Sequence, residues 1–475
     1  MQPHSKQFKS NVTKALADPE LQKSLFTVKK GLVENRAKAI SLVSDFELLR
    51  EKAKQIKQHT LSQLDYYLEE FETNFTAQGG QLHWAKDASE AQQIIVGICH
   101  KHNAKTVVKG KSMAGEEISI NEALEAAGIE PIETDLGEYI VQLANEPPSH
   151  IIVPCVHKTR AQIIELFAKH HKKYGYDKPL TEVEELVLQV REIMRSKFLN
   201  ADIGITGANF LVAETGTSVI VTNEGNGDLC STLPKVHIVT AGLEKIVPTL
   251  NDVSMLSRLL ARSATGQEST AYTTFATGPQ RSDDQDGPEE MHIVLIDNGR
   301  TDLLNSELSE MLRCIRCGAC INHCPVYGSV GGHAYGWVYP GPMGAVLTPA
   351  IIGLEEAGDL PNACTLNGRC ETVCPVKIPL PKLLRLLRVR QFKERKGSMI
   401  WRGGIQLWGK LASYPVVYHF LVNIGIRLLS FLGAKKGRFN KLLLARSWTQ
   451  SRDFPSPQGS TFHSQWKKYK KDHHG

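Results

Sequence analysis

The chain has 475 residues, with 56 Lys and Arg against 50 Asp and Glu and 41% apolar residues, a balance that fits a globular protein of two or three domains. It opens without the basic start and apolar run of a secretory signal, and no run of about 18 uninterrupted apolar residues occurs, so export and a spanning helix are not expected and the cytoplasm is the default compartment. The charge is lopsided: from residue 376 onward 21 Lys and Arg face 3 Asp and Glu, leaving 35 against 47 before it. A basic tail on an acidic body points to an anionic partner surface (protein, membrane or nucleic acid) or to a solvated basic face.

Residues 1–80 read as a helical segment, with apolar residues at helical spacing among charges in ELLREKAKQIKQHTLSQLDYYLEEFETNF. Residues 81–300 alternate short apolar runs with helical stretches. Strands are expected at 105–110, 129–135, 150–155, 217–224, 235–242 and 291–299, with helices at 89–102 and 180–199 and a polar loop at 281–290. That alternation predicts an α/β domain with a mainly parallel sheet. Residues 301–395 hold a cysteine cluster, a Gly/Pro-rich connection and a helix over 380–395. Residues 396–475 form a basic, mostly helical extension. Its most apolar stretch, 411–433, is interrupted by Pro415, His419 and Arg427.

Seven of the ten cysteines fall between 314 and 374. Thiols clustered at short spacing suggest metal binding over disulfides. RCIRCGACINHCP gives Cys314-x2-Cys317-x2-Cys320-x3-Cys324-Pro325, the ferredoxin run in which three thiolates hold one cluster and the fourth reaches another. A zinc ribbon pairs two Cys-x2-Cys knuckles instead. CTLNGRCETVCP supplies Cys364-x5-Cys370-x3-Cys374-Pro375. Cross-ligation then assigns Cys314, Cys317, Cys320 and Cys374 to cluster one, a [4Fe–4S] cubane. Cys324, Cys364 and Cys370 go to cluster two, with Asn367 at its fourth corner.

An amide is a poor ligand for soft iron. Cluster two is therefore a [3Fe–4S] cluster, a [4Fe–4S] cubane with a water or labile ligand, or a cubane completed from elsewhere. The 39 residues between Cys324 and Cys364 exceed a minimal ferredoxin and are expected to be helical. Their spacing, with GPMGAVLTP at 341–349, resembles the iron–sulfur subunit of succinate dehydrogenase, a family with a three-iron cluster behind Cys-x5-Cys-x3-Cys-Pro.

Upstream, ITGANFLVAETGTSVIVTNEGNGDL packs Thr206, Gly207, Thr215, Gly216, Thr217, Asn223 and Gly225 around the ends of an apolar strand. Such loops receive anions when they lie beyond the carboxyl ends of sheet strands, and otherwise serve tight turns. Lys109 and Lys111 follow a strand and could receive a carboxylate or phosphate. Cys155 between His150 and His157 reads as a buried strand residue with capping histidines. No acid–base pair stands out; Glu214 and Glu224 are the nearest carboxylates.

With VAETGTSVIVTNEGNGDL ahead of RCIRCGACINHCPVYG and a basic tail behind, nearly the whole chain resembles the lactate utilisation protein B family. The resemblance implies a LUD domain of the isomerase/CoA-transferase-like group, two iron–sulfur clusters and a cytoplasmic complex with sister subunits that oxidises L-lactate to pyruvate. The basic tail then suits an electron acceptor, a membrane-associated dehydrogenase or the inner face of the membrane. Lacking a helix-turn-helix or RNA-recognition signature, the chain is not expected to bind nucleic acid.

Overall fold

Helical spacing winds the start of the chain into α1 (Phe8–Ala17), α2 (Pro19–Ser41), α3 (Phe46–Ser62) and α4 (Leu64–Ala77). Asp18 caps α2 by accepting from the N–H groups of Glu20 and Leu21, with Pro19 at the first helical position. The computed structural model describes residues 3–176, 180–396, 398–442, 445–449 and 452–474. Residues 1–396 and 397–475 form two compact units.

The strands are β1 (Gln81–Ala85), β2 (Thr106–Lys109), β3 (Glu130–Glu133), β4 (Ile203–Gly207), β5 (Phe210–Val212), β6 (Thr217–Thr222), β7 (Val236–Gly242), β8 (Ile246–Val247), β9 (Tyr272–Ala276) and β10 (Glu290–Ile296). Six of them make one sheet in the order β1-β10-β7-β4-β2-β3, every neighbouring pair parallel. Ile203, Ile205, Ile238, Val239, Ile293 and Val294 are buried on its two faces, as a parallel sheet covered on both sides requires. One face packs on Ala91, Ile95, Ile98 and Leu124, and the other on Leu64, Leu68, Phe71 and Phe75. A smaller mixed sheet, β8-β5-β6-β9, stands beside it. Residues 150–155, expected as a strand, are bends and turns instead. His150 Nδ1 accepts from the N–H groups of both Ile152 and Val153, which curls the backbone, and Pro154 has no N–H to offer a ladder.

The cysteine module shares its core with the N-terminal helices. Phe8, Leu25, Phe46 and Ala53 pack with Tyr335, Leu347 and Leu384. Polar clamps reinforce this. Arg36 donates to the Val373 carbonyl at 2.8 Å, and Arg50 donates to the Cys374 carbonyl at 2.7 and 2.9 Å. Lys377 pairs with Glu47 and Glu51. The connection between Cys324 and Cys364 is helical, centred on Gly341–Ala357.

In the second unit, helices Met399–Ala412 and Pro415–Gly433 are followed by a short ribbon (Arg438–Phe439 with Phe454–Pro455) and the helix Phe462–His474. Pro415 starts its helix and does not break it, because a first-turn residue needs no donor N–H. The 19-residue helix is long and apolar enough to cross a membrane by length and composition, which corrects the expectation drawn from its interruptions.

Replacing Arg50 by Met removes both hydrogen bonds to a buried carbonyl. We expect a loss of about 2–3 kcal/mol, read as a lower urea midpoint for the unit of residues 1–396.

Candidate functional site

The seven clustered thiols fall into two groups. Cys314, Cys317, Cys320 and Cys374 line one small apolar cavity with Ile151, Met311, Met343 and Leu380. Cys324 and Cys370 face Cys364, and burial first, then these neighbouring thiols, pushes Cys370 up to about 12. Backbone N–H groups aim at the sulfurs: Arg316 at Cys314, Tyr327 at Cys324, Leu366 at Cys364 and Ile378 at Cys374, at 3.2–3.4 Å. The Tyr335 hydroxyl is buried beside Cys324 and Cys364, with the Cys324 sulfur as its nearest acceptor. Soft donors in two sets, amides directed at sulfur and a buried hydroxyl beside the second set fit iron–sulfur clusters.

The two cysteine loops repeat one backbone shape. Arg316 and Leu366 both take positive φ, at 58° and 56°, and Gly318 and Gly368 follow in the left-handed region at 72° and 80°. Each glycine caps a short helix, Ala319–Asn322 or Arg369–Val373. Asn367 holds the position of Cys317. Its Oδ1 accepts from the Arg369 N–H at 3.1 Å, as the Cys317 thiol accepts from the Ala319 backbone. Cys317 is buried whereas Asn367 is exposed.

A cavity of about 560 Å³ opens at the carboxyl ends of the parallel strands, where open α/β sheets bind ligands. Lys111, Ser112, Asp135, Thr206, Gly207, Asn209, Asn223, Glu224, Thr240 and Lys245 line it, together with Arg300, Arg316 and Tyr339. Gly207 is required there, since a Cβ would come within 2.9 Å of the Ser112 hydroxyl. Arg316 belongs to the Cys314–Cys317 loop, so the cavity wall and the first thiol set share a residue.

Arg316 is fixed by a buried charge network. Arg300 bonds Glu117 through two nitrogens at 2.8 Å each and Glu244 at 2.6 Å. Arg316 reaches the other Glu244 oxygen at 3.0 Å and lies over the Tyr339 ring, and Tyr339 donates to Glu117 at 2.6 Å. Burial alone would raise the Glu244 carboxyl, but the guanidinium groups of Arg300 and Arg316 hold it down at about 2. The Lys57 ammonium, from α3, donates to the Glu244 carbonyl at 2.5 Å. Lys245 faces the cavity, and its ammonium makes no hydrogen bond or ion pair among the described residues. Burial, then Arg316, lowers it to about 8.

Of the loop residues singled out in the sequence, Lys111, Thr206, Gly207 and Asn223 meet at this cavity. Gly225 caps the adjoining helix Asn226–Thr232 with φ 58°. Lys109 lies outside the cavity lining, buried and paired with Glu133 at 2.7 Å and with Asn121. Thr215 and Thr217 line a separate groove with Glu214 and Phe275, and Gly216 packs against the backbone of Phe75. Cys155 lines the cavity with its thiol raised to about 11 by burial, then Asp135. His150 bonds Asn322, and His157 bonds Ser149 and Glu146. Sequence reasoning missed Glu117, Glu244, Lys245, Arg300, Arg316 and Tyr339; the one available signal was an arginine inside the Cys-x2-Cys loop.

Residues 68–296 match the family described as LUD domain, and residues 310–378 match the 4Fe-4S dicluster domain. The chain is 43% identical to a protein of Escherichia coli (strain K12) named "Uncharacterized electron transport protein YkgF", over 97% of this chain and 96% of that one. It is 42% identical to "Lactate utilization protein B" of Bacillus cytotoxicus over 99% of each chain. The protein of that name from Bacillus pumilus is 42% identical over 98% of each. The chain belongs to the lactate utilization protein B family. Its α/β domain is a LUD domain, and the cysteine module after it is of the 4Fe-4S dicluster type.

Replacing Glu244 by Gln leaves two buried guanidinium groups short of an anion, and we expect a stability loss of about 3–5 kcal/mol near neutral pH. The folded carboxyl titrates below its unfolded value of about 4.3. Its contribution is therefore whole above that value and is lost as pH falls toward about 2. Denaturant titrations should show the wild-type advantage shrinking across that window.

Proposed function

We propose that this chain is the electron-transfer subunit of a cytoplasmic complex that oxidises L-lactate to pyruvate. The observation that carries the reading is the pair of thiol sets, Cys314/Cys317/Cys320/Cys374 and Cys324/Cys364/Cys370, packed into one core. The names of the full-length relatives support it, one an electron transport protein and others lactate utilization proteins. Iron–sulfur clusters bound at these thiols supply one-electron chemistry. Around the first set, Ile151, Met311 and Leu380 exclude water, and the Arg36 guanidinium lies close enough to Cys317 and Cys374 to favour their thiolates. Around the second, Tyr335 offers a donor from a buried position. Hydrogen bonds and burial of this kind tune reduction potentials. The sister subunits and an electron acceptor complete the complex in this reading.

The first set holds a [4Fe–4S] cluster in this proposal, and the second a [3Fe–4S] cluster or a cubane whose fourth iron faces solvent. The exposure of Asn367, and its side chain's engagement with the Arg369 N–H, favour the open corner. Anaerobically prepared protein is expected to give a three-iron signal by electron paramagnetic resonance on oxidation, converted to a cubane signal in Asn367→Cys. Seven or eight irons with no such signal count against a three-iron site, and metal-free or zinc-only protein overturns the module reading.

A second reading, that the LUD domain itself takes the 2-hydroxy acid, is favoured by Lys245, a cation in the cavity that makes no hydrogen bond or ion pair among the described residues, next to Arg316 of the cysteine loop. Titration calorimetry with L-lactate and pyruvate should then show binding to the isolated chain that weakens about tenfold or more in Lys245→Met, the loss of one charge-assisted contact. Equal binding by both proteins, or none by either, rejects this second reading and leaves electron transfer untouched.

A further inference from the structure

Residues 397–475 carry 13 Lys and Arg against 2 Asp and Glu, and no acidic residue occurs between 397 and 452. The helix Met399–Ala412 buries none of its residues within this structure. Trp401 and Trp408, one heptad apart, are 65% and 60% exposed and fall on one face. On the helix Pro415–Gly433, Val416, Phe420 and Phe431 are 83%, 63% and 80% exposed. So much contiguous apolar surface marks an interaction site.

The same helix has a polar stripe at spacings of four, four and three: His419, Asn423, Arg427 and Ser430. The chain covers part of that stripe itself. Thr461 and Ser464 hydroxyls donate to Asn423 Oδ1 at 3.0 and 3.1 Å, and His463 stacks on His419 with ring centroids 4.1 Å apart. The following helix, Phe462–His474, brings Lys467, Lys468, Lys470 and Lys471. Nineteen residues measure about 28 Å, enough to cross a bilayer. Crossing would draw the polar stripe and the lysine-rich segment bound to it into hydrocarbon, whereas lying flat leaves both in the headgroups.

We propose that the helices Met399–Ala412 and Pro415–Gly433 lie in the plane of an anionic phospholipid leaflet, with their apolar faces in the acyl boundary and the basic residues among the headgroups. Charge selects this partner over a purely apolar protein groove: an almost unbroken basic field beside an exposed aromatic face is the pattern of interfacial helices on anionic lipid. The proposal deepens the basic-tail expectation but rests on these helices alone, so it stands or falls separately from the electron-transfer reading.

The full-length, cluster-loaded protein should float with vesicles of phosphatidylcholine containing phosphatidylglycerol, and about tenfold more weakly with phosphatidylcholine alone. Tryptophan emission should shift to the blue on binding. Trp401→Glu and Phe420→Glu alter exposed positions and should abolish flotation with unchanged circular dichroism and cluster absorbance. Alanine at all four of Lys467, Lys468, Lys470 and Lys471 should reduce the preference for anionic vesicles. Failure to float with either vesicle, wild-type flotation by Phe420→Glu, or protection of both helices by a protein subunit without vesicle binding overturns the proposal.

Discussion

The carboxylate of Glu244 is shared between two arginines, one from the end of the sheet and one from a cysteine loop, and the relation between the two domains hangs on that sharing. Arg300 follows β10, Arg316 sits between Cys314 and Cys317, and both meet a side chain from the turn after β7. A buried pair of this kind is costly to assemble and costlier to break. It is tolerated here because Glu117, Tyr339 and the Lys57 hydrogen bonds satisfy nearly every remaining donor and acceptor. The metal-binding loop is thus held to a fixed position on the edge of the ligand-type cavity, where a hinge between separate domains would leave it free.

The α3 helix extends the same constraint. Lys57 holds the Glu244 turn, and about two turns earlier Arg50 holds the carbonyl of Cys374. One rigid rod therefore references both the sheet and the first thiol set. This explains why the N-terminal helices bury Phe46 and Ala53 against the cysteine module in a common core.

Much of this architecture was legible in the sequence, for physical reasons that also mark its limits. Four of the six parallel strands, β2, β3, β7 and β10, announced themselves through buried runs such as HIVTAG and HIVLI, whereas the half-exposed edge strand β1 and the short strand β4 did not, and the run at 217–224 lies in the smaller sheet. The thiol sets were legible because cluster ligation fixes local spacing. The curl at 150–155 was not, because an apolar run looks the same whether its amides go to a ladder or to His150. Lys109 and Lys111 are two residues apart and alike in sequence, yet one is buried against Glu133 and the other faces the cavity. The pairing that separates them comes from Asn121 and Glu133, 12 and 24 positions away. Glu117, Glu244 and Arg300 carry no motif at all, since their partnership exists only once three distant segments meet.

Asn367 closes its turn with its own amide oxygen, in the place where the matching loop uses sulfur. The second loop therefore does not need a fourth thiolate to keep its shape. The first loop is instead walled in by apolar side chains and tied to the sheet through Arg316. Two copies of one backbone shape are thus closed by different chemistry, one by sulfur in the core and one by an amide facing solvent.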